Sequence, residues 1–188
     1  MTALRKIMSV DEFYAWYETQ PGRWELFGGV PAEMKSERVI HSDTKFRAAL
    51  ALHNAIAKTG IPCHMVLDGP AVRIDAQNSY QPDVMVYCGD PLPDDTIVIP
   101  NPIIVVEVLS PGNAMKDLRD KLLGYFRVPS IQHYLIADPD ERLVIHHARG
   151  LSDAVTTRIA KEGELNLNPP GLILPLGAIF SPAASTQT

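Results

Sequence analysis

Cysteine is scarce in this sequence, long apolar runs are absent, and basic residues are outnumbered. Its two cysteines, Cys63 and Cys88, lie 25 positions apart and form no C-x-x-C pair. Zinc-ribbon and dithiol motifs are therefore excluded, and both thiols are read as reduced core residues with no disulfide. The longest apolar stretch, Ile103 to Leu109, is broken by Glu107 and falls far short of the roughly 20 residues that span a bilayer. Arg5 and Lys6 near the start lead into Asp11 and Glu12 without the apolar block of a signal peptide, so a cytoplasmic protein with no membrane partner is expected. Seventeen Lys and Arg face 22 Asp and Glu, for a net charge of −5. That balance argues against broad coating of nucleic acid, which relies on clustered cations, and leaves contacts that are local or bridged by a metal ion. No linker rich in Gly, Ser or Pro divides the 188 residues. One domain with one core is expected over 1–180, followed by a flexible tail over 181–188.

The order of elements is read from caps and periodicity. Ser9-Val-Asp-Glu12 forms a capping box that starts a short helix through about Glu18, with Phe13, Trp16 and Tyr17 on one face. Trp24 to Phe27 and Val30 to Met34, around Gly28-Gly29, read as a β-hairpin. Phe46, Ala49, Leu50, His53 and Ile56 give a helical period over Ser42 to Lys58, closed by Gly60 and Pro62. Strand-like runs follow at 64–67, 71–74, 83–88 and 103–109, then a helix at 114–126 and strands at 131–137 and 142–146. Residues 154–159 and 172–174 read as edge strands. This order is α/β, or mixed α+β, with the sheet built in sequence order.

Glu107 is the most informative residue, because it interrupts a strand that otherwise reads as buried on both faces. An embedded carboxylate needs a metal ion, a cation, a proton or water to offset the cost of burial. A structural pair with Arg73 or Arg119 is the plainer alternative. Asp83 opens the preceding strand just after Pro82, whose fixed φ helps aim it. Lys121 borders the stripe Leu118, Leu122 and Tyr125; spacing alone fits both a lysine facing the sheet and a surface pair with Asp117. Two carboxylates on adjacent strands plus a lysine are ingredients for phosphodiester hydrolysis: the acids hold Mg²⁺ or Mn²⁺, and the lysine orients water or offsets charge.

The segments Trp24-Glu25-Leu26 with Gly29, the helix opened by His41, Gln81-Pro-Asp83-Val, Val105-Val-Glu107-Val-Leu-Ser-Pro111, Asp117 to Lys121 with Tyr125, and Tyr134 to Pro139 together resemble the Uma2 family. The likeness covers about Val10 to His147. Uma2, long a domain of unknown function, is assigned to the PD-(D/E)XK nuclease fold. The resemblance implies a restriction-endonuclease-like, four-stranded mixed sheet flanked by helices, preceded here by the N-terminal helix and hairpin. It also implies Asp83 and Glu107 as metal ligands. The usual motif has a lysine two residues after the acid, where this chain has Leu109, so Lys121 on the following helix must replace it. Gly112-Asn113 stands where the family more often shows Ser and Thr.

By the same resemblance, Glu25 is either an additional metal ligand or a hairpin-edge acid. His41, at a helix N-terminus, either exchanges a proton and binds phosphate or serves to cap and pack. Tyr125 either hydrogen-bonds Lys121 or a carboxylate, or simply packs. His53 and His133 are assigned to packing, and His146-His147 to a strand and its exposed edge. Three functions fit: a metal-dependent endonuclease acting on DNA, a catalytically lapsed binding module, and a hydrolase of a smaller phosphate ester. Phe13, Trp16 and the run Leu172 to Leu176 exceed what one sheet needs, which points to a homodimer.

Overall fold

The computed structural model describes residues 7–110 and 115–180. Helix α1 (Val10–Tyr17) begins at the anticipated capping box: the Ser9 hydroxyl accepts the Glu12 N–H at 3.2 Å, and the Glu12 carboxylate accepts the Ser9 N–H at 2.9 Å. Strands β1 (Trp24–Phe27) and β2 (Val30–Glu33) form the hairpin, with Gly28 and Gly29 at φ of 54° and 76°. Helix α2 (Val39–Thr59) ends on left-handed Gly60. Next come β3 (Cys63–Leu67), β4 (Val72–Arg73), β5 (Ser79–Tyr80), β6 (Val84–Cys88), β7 (Pro102–Val108) and helix α3 (Met115–Tyr125). Strands β8 (His133–Asp138), β9 (Leu143–Arg149), β10 (Val155–Ala160), β11 (Glu164–Leu167) and β12 (Leu172–Pro175) complete the described chain. No helix among the described residues is long and apolar enough to cross a membrane.

The main sheet has six strands in the order β3-β6-β7-β8-β9-β10, which follows the chain as expected except that β4 and β5 leave for the second sheet, so the run 71–74 is not part of it. Every pair is antiparallel except β7–β8, whose parallel pairing needs the crossover that α3 supplies. A second sheet, β2-β1-β5-β4, carries the N-terminal hairpin, and β11–β12 form a separate ribbon. Alternation along the strands splits the interior. Val84, Val86, Ile104 and Val106 face a core shared with Ala48 and Leu52 of α2 and Leu165, Leu172 and Leu174 of the ribbon. Met85 and Val105 face the other core, with Tyr125 of α3, Tyr134 and Ile136. A third cluster joins Val10, Phe13 and Leu26.

Several expectations are corrected. The main sheet has six strands rather than the four implied by the resemblance, because the β9–β10 hairpin extends it and β3 closes its other edge. Of the expected apolar positions on α2, Ala49 and Ile56 do meet the core, beside Ala48, Ala51, Leu52 and Ala55, while Phe46 and Leu50 are exposed at 57% and 44%. Small side chains let the helix lie close to the sheet, so bulk was a poor guide to its buried face. His53 is exposed rather than packed. His146 and His147 are buried, since β10 covers β9. Cys63 and Cys88 are directly opposed in the β3–β6 ladder and form a disulfide, where two reduced thiols were expected; sequence separation carries no information about strand register. Residues 172–174 pair with β11 rather than forming an edge of the main sheet, and Leu172, Leu174 and Leu176 are buried inside the chain. Phe13 is likewise buried, with Trp16 packed against its cluster. Most of the apolar surplus that pointed to a homodimer is therefore satisfied internally, while Ile173 of the same run stays 44% exposed. Gly112-Asn113 and the 181–188 tail lie outside the described residues.

Candidate active site

The β6–β7 register pairs Val84 with Val106, so the next positions outward, Asp83 and Glu107, stand together at one end of the two strands. Both are buried, at 3% and 5% exposure. Glu107 shares the parity of Val105 and turns toward α3. Lys121 and Tyr125, one helical turn apart, meet it there: the Lys121 ammonium lies 2.9 Å from Glu107 Oε1, and the Tyr125 hydroxyl donates to the same oxygen at 2.5 Å. Lys121 also lies 3.0 Å from Glu25 Oε1 on β1. That oxygen in turn accepts the Gln81 N–H at 2.8 Å. Sheet, helix and hairpin thus bring Glu25, Glu107, Lys121 and Tyr125 into one buried cluster. Neither Arg73 nor Arg119 replaces Lys121 in it; Arg73 pairs with Asp11 and Arg119 is exposed.

Asp83 belongs to an adjoining cluster built on the first turns of α2. Its Oδ2 accepts the Val108 N–H at 2.7 Å, and its Oδ1 lies 2.9 Å from Lys45 Nζ. Lys45 also bonds Glu37 at 2.7 Å and Asp68 at 3.3 Å, and Asp68 pairs with Arg23. His41 Nε2 lies 2.7 Å from the Val108 carbonyl, which only accepts, so Nε2 carries the hydrogen. The same nitrogen is 3.7 Å from Asp83 Oδ2. His41 Nδ1 is 3.0 Å from a Glu37 oxygen, yet it is buried and not aligned for a hydrogen bond. Val108 thus gives its N–H to Asp83 and its carbonyl to His41.

Burial pushes the Glu107 carboxyl up to about 8, with Asp83 and Glu25 adding to the rise against the opposing pull of Lys121. Burial and the Glu107 charge hold the Tyr125 hydroxyl well above the usual phenol range. Burial works against charge on Lys45, but Asp83, Glu37 and Asp68 outweigh it and raise its value. Glu37 is also desolvated, and Lys45 and His41 nonetheless hold it below the usual carboxylate range. Across both clusters, five carboxyl groups (Glu25, Glu37, Asp68, Asp83, Glu107) meet three basic side chains (Arg23, Lys45, Lys121), and the acids outnumber the bases even with the Glu107 proton held near neutral pH. A divalent cation suits that surplus of negative charge. Ligand atoms of Glu37, His41 and Asp83 all lie within 4.8 Å of one another; the two carboxylates suit Mg²⁺ or Mn²⁺, whereas the imidazole donor suits a transition metal better than Mg²⁺.

The structure thus places Asp83, Glu107, Lys121, Glu25, His41 and Tyr125 at one end of the sheet, in two adjoining groups. Lys45, Glu37, Asp68 and Arg23 escaped the sequence reading. Lys45 had a signal: it is the one charged residue on the inward stripe of α2, in the ladder Glu37, His41, Lys45 at intervals of four.

Comparison with known proteins gives a consistent assignment. Over 92% of this chain and 91% of its own length, an uncharacterized protein of Synechocystis sp. is 27% identical across 175 residues. The crystal structure of "a putative nuclease belonging to DUF820" from Anabaena variabilis superposes with a TM-score of 0.72, covering 92% of this chain and 97% of that one at 16% identity. That likeness establishes the fold. The model of the Uma2 family, described as "Putative restriction endonuclease", matches residues 10–177. The chain therefore belongs to the Uma2 family and has its restriction-endonuclease-like fold.

Proposed function

We propose that this protein is an endonuclease that hydrolyses phosphodiester bonds of DNA with the help of Mg²⁺ or Mn²⁺. The observation that carries the reading is the placement of Asp83 and Glu107 at paired positions of adjoining strand ends, each carboxylate held by its own buried lysine. Membership of a nuclease-type family supports the reaction class. Asp83 would be the hub of the ligand set: its carboxylate lies within reach of Glu37 and His41 on the α2 side, while Glu107 and Glu25, held by Lys121, would approach from the α3 side. A divalent ion held by these residues would supply an activated water and offset charge on the phosphate oxygens.

The chain's own residues do the rest. The Val108 N–H and Lys45 fix both oxygens of Asp83. Tyr125 and Lys121 converge on Glu107 Oε1 and set the orientation of that carboxyl. The Lys121 ammonium stands ready to stabilise charge developing on phosphate. Its position on α3 answers the missing lysine at Leu109.

The test is cleavage of single- and double-stranded DNA and RNA by the purified protein in Mg²⁺, Mn²⁺ or EDTA, alongside Asp83→Asn and Glu107→Gln. Cleavage that needs the metal and falls by orders of magnitude in both variants is the expected result. An Asp83→Asn variant as active as the wild type would overturn the reading.

A further inference from the structure

Beside the Asp83 cluster lies a cavity of about 500 Å³, lined by Tyr14, Tyr17, Gly22, Gly69, Gln81 and Ile97 among others. Its volume is within the range of small-molecule pockets, about 300–1,000 Å³. Three lining residues adjoin the site along the chain. Gly22 precedes Arg23, Gly69 follows Asp68, and Gln81 lies two residues before Asp83 while its own N–H holds Glu25. Gly22 and Gly69 adopt φ of 84° and 94° and carry no side chain into the cavity.

The lining has the chemistry of a stacking platform. Tyr17 lies 8° from parallel with buried Phe13 at a centroid separation of 5.7 Å, so its plane is fixed from behind by the α1 cluster. The Tyr14 hydroxyl is tied to Ser79 at 2.8 Å. The Gln81 amide spans the floor: its Oε1 accepts from Arg23 at 3.3 Å, and its Nε2 donates to the Tyr17 hydroxyl at 3.3 Å. A Tyr17 hydroxyl that accepts this bond still has a proton to donate. An ordered ring, an amide with spare bonding capacity and a guanidinium at the rim together match a nucleotide, with the base on Tyr17 and the phosphate toward Arg23.

Resting on the phosphodiesterase reading above, we propose that this cavity is a nucleobase subsite that receives an unpaired base next to the scissile phosphate, making single-stranded nucleic acid the preferred substrate. A base can stack on Tyr17 only outside a duplex, and entry is least costly for a strand already unpaired. The net charge of −5 points the same way, since holding a long duplex relies on many phosphate contacts.

The test is equilibrium binding of fluorescently labelled oligonucleotides to the full chain, with Ca²⁺ replacing Mg²⁺. The probes are a normal single strand, a base-free strand of the same length and a duplex. Stacking is worth about 1–3 kcal/mol per base, so the normal strand should bind roughly tenfold more tightly than the base-free one. Tyr17→Leu should erase that preference and Tyr17→Phe should keep it. Equal affinity for normal and base-free strands, or a preference for duplex, overturns the proposal even if Tyr17→Leu fails to fold. Cleavage assays with Mg²⁺ separate the two claims. Metal-dependent cleavage without a base preference removes the subsite and leaves the nuclease, whereas a base preference without cleavage in any metal does the reverse.

Discussion

Glu107 links the chemistry of the site to the stability of the fold. Its carboxyl rises from 4.5 to about 8 on folding, chiefly through burial and then through Asp83 and Glu25. A folded value above the unfolded one means that the folded state binds the proton more tightly. The resulting stabilisation is complete below pH 4.5 and is lost as pH climbs to about 8. Urea unfolding in EDTA should therefore show this contribution declining from pH 5 to pH 8. Glu107→Gln should flatten that slope and cost little at pH 8, because Lys121 keeps Glu25 as a partner. A loss of about 3–5 kcal/mol, the usual result of stranding a buried cation, would instead mark Glu107 as purely structural. Metal ion should act in the opposite sense to pH. Mg²⁺ or Mn²⁺ at a hundred times its dissociation constant should add about 2.7 kcal/mol, raising the melting temperature of the wild type and not that of Asp83→Asn. Equal shifts in both proteins would place the ion elsewhere.

Helix α3 delivers Lys121 and Tyr125, and its seating depends on one small residue. A Cβ on Gly124 would sit 2.5 Å from a ring carbon of Tyr80 and 2.9 Å from its hydroxyl. Tyr80 cannot easily yield, since it is buried, stacked on Phe27 and edge-on to Tyr125. Replacing a helical glycine with alanine normally gains up to about 1 kcal/mol. Here Gly124→Ala should cost about 1–3 kcal/mol through overpacking, and it should lower activity by displacing Lys121; denaturant melts and cleavage rates check both. Element types and order were largely legible in the sequence. Apolar runs between turn residues marked the strands of the main sheet, and Asp83 and Glu107 stood out as acids at the start and within such runs. Faces and partners were less legible. Phe46 and Leu50 drew attention to the wrong side of α2, where burial belongs to alanines, and Lys45 went unseen because its partners come from Glu37, Asp68 and Asp83 on separate segments. The Cys63–Cys88 bridge was hidden for a related reason: it follows from which residues the β3–β6 register sets opposite each other.

At the scale of the whole molecule, the β11–β12 ribbon closes the α2-side core with Leu165, Leu167, Leu172 and Leu174. Leu174→Ala should cost about 2–5 kcal/mol, as for other buried leucines, and leave the oligomeric state unchanged. A change of mass in light scattering without loss of stability would return that run to an intermolecular role. The two main cores share no residue, because the six-stranded sheet stands between them. They communicate at the strand ends, where α2 contributes His41 and Lys45 and α3 contributes Lys121 and Tyr125. Val108 lies at that junction, its N–H given to Asp83 and its carbonyl to His41. A main-chain amide bound to a carboxylate rather than to a neighbouring strand exchanges its hydrogen with solvent according to what that carboxylate is doing. The deuterium uptake of this one amide therefore serves as a built-in gauge of the site, slowing whenever Asp83 is locked in place and quickening when it is released.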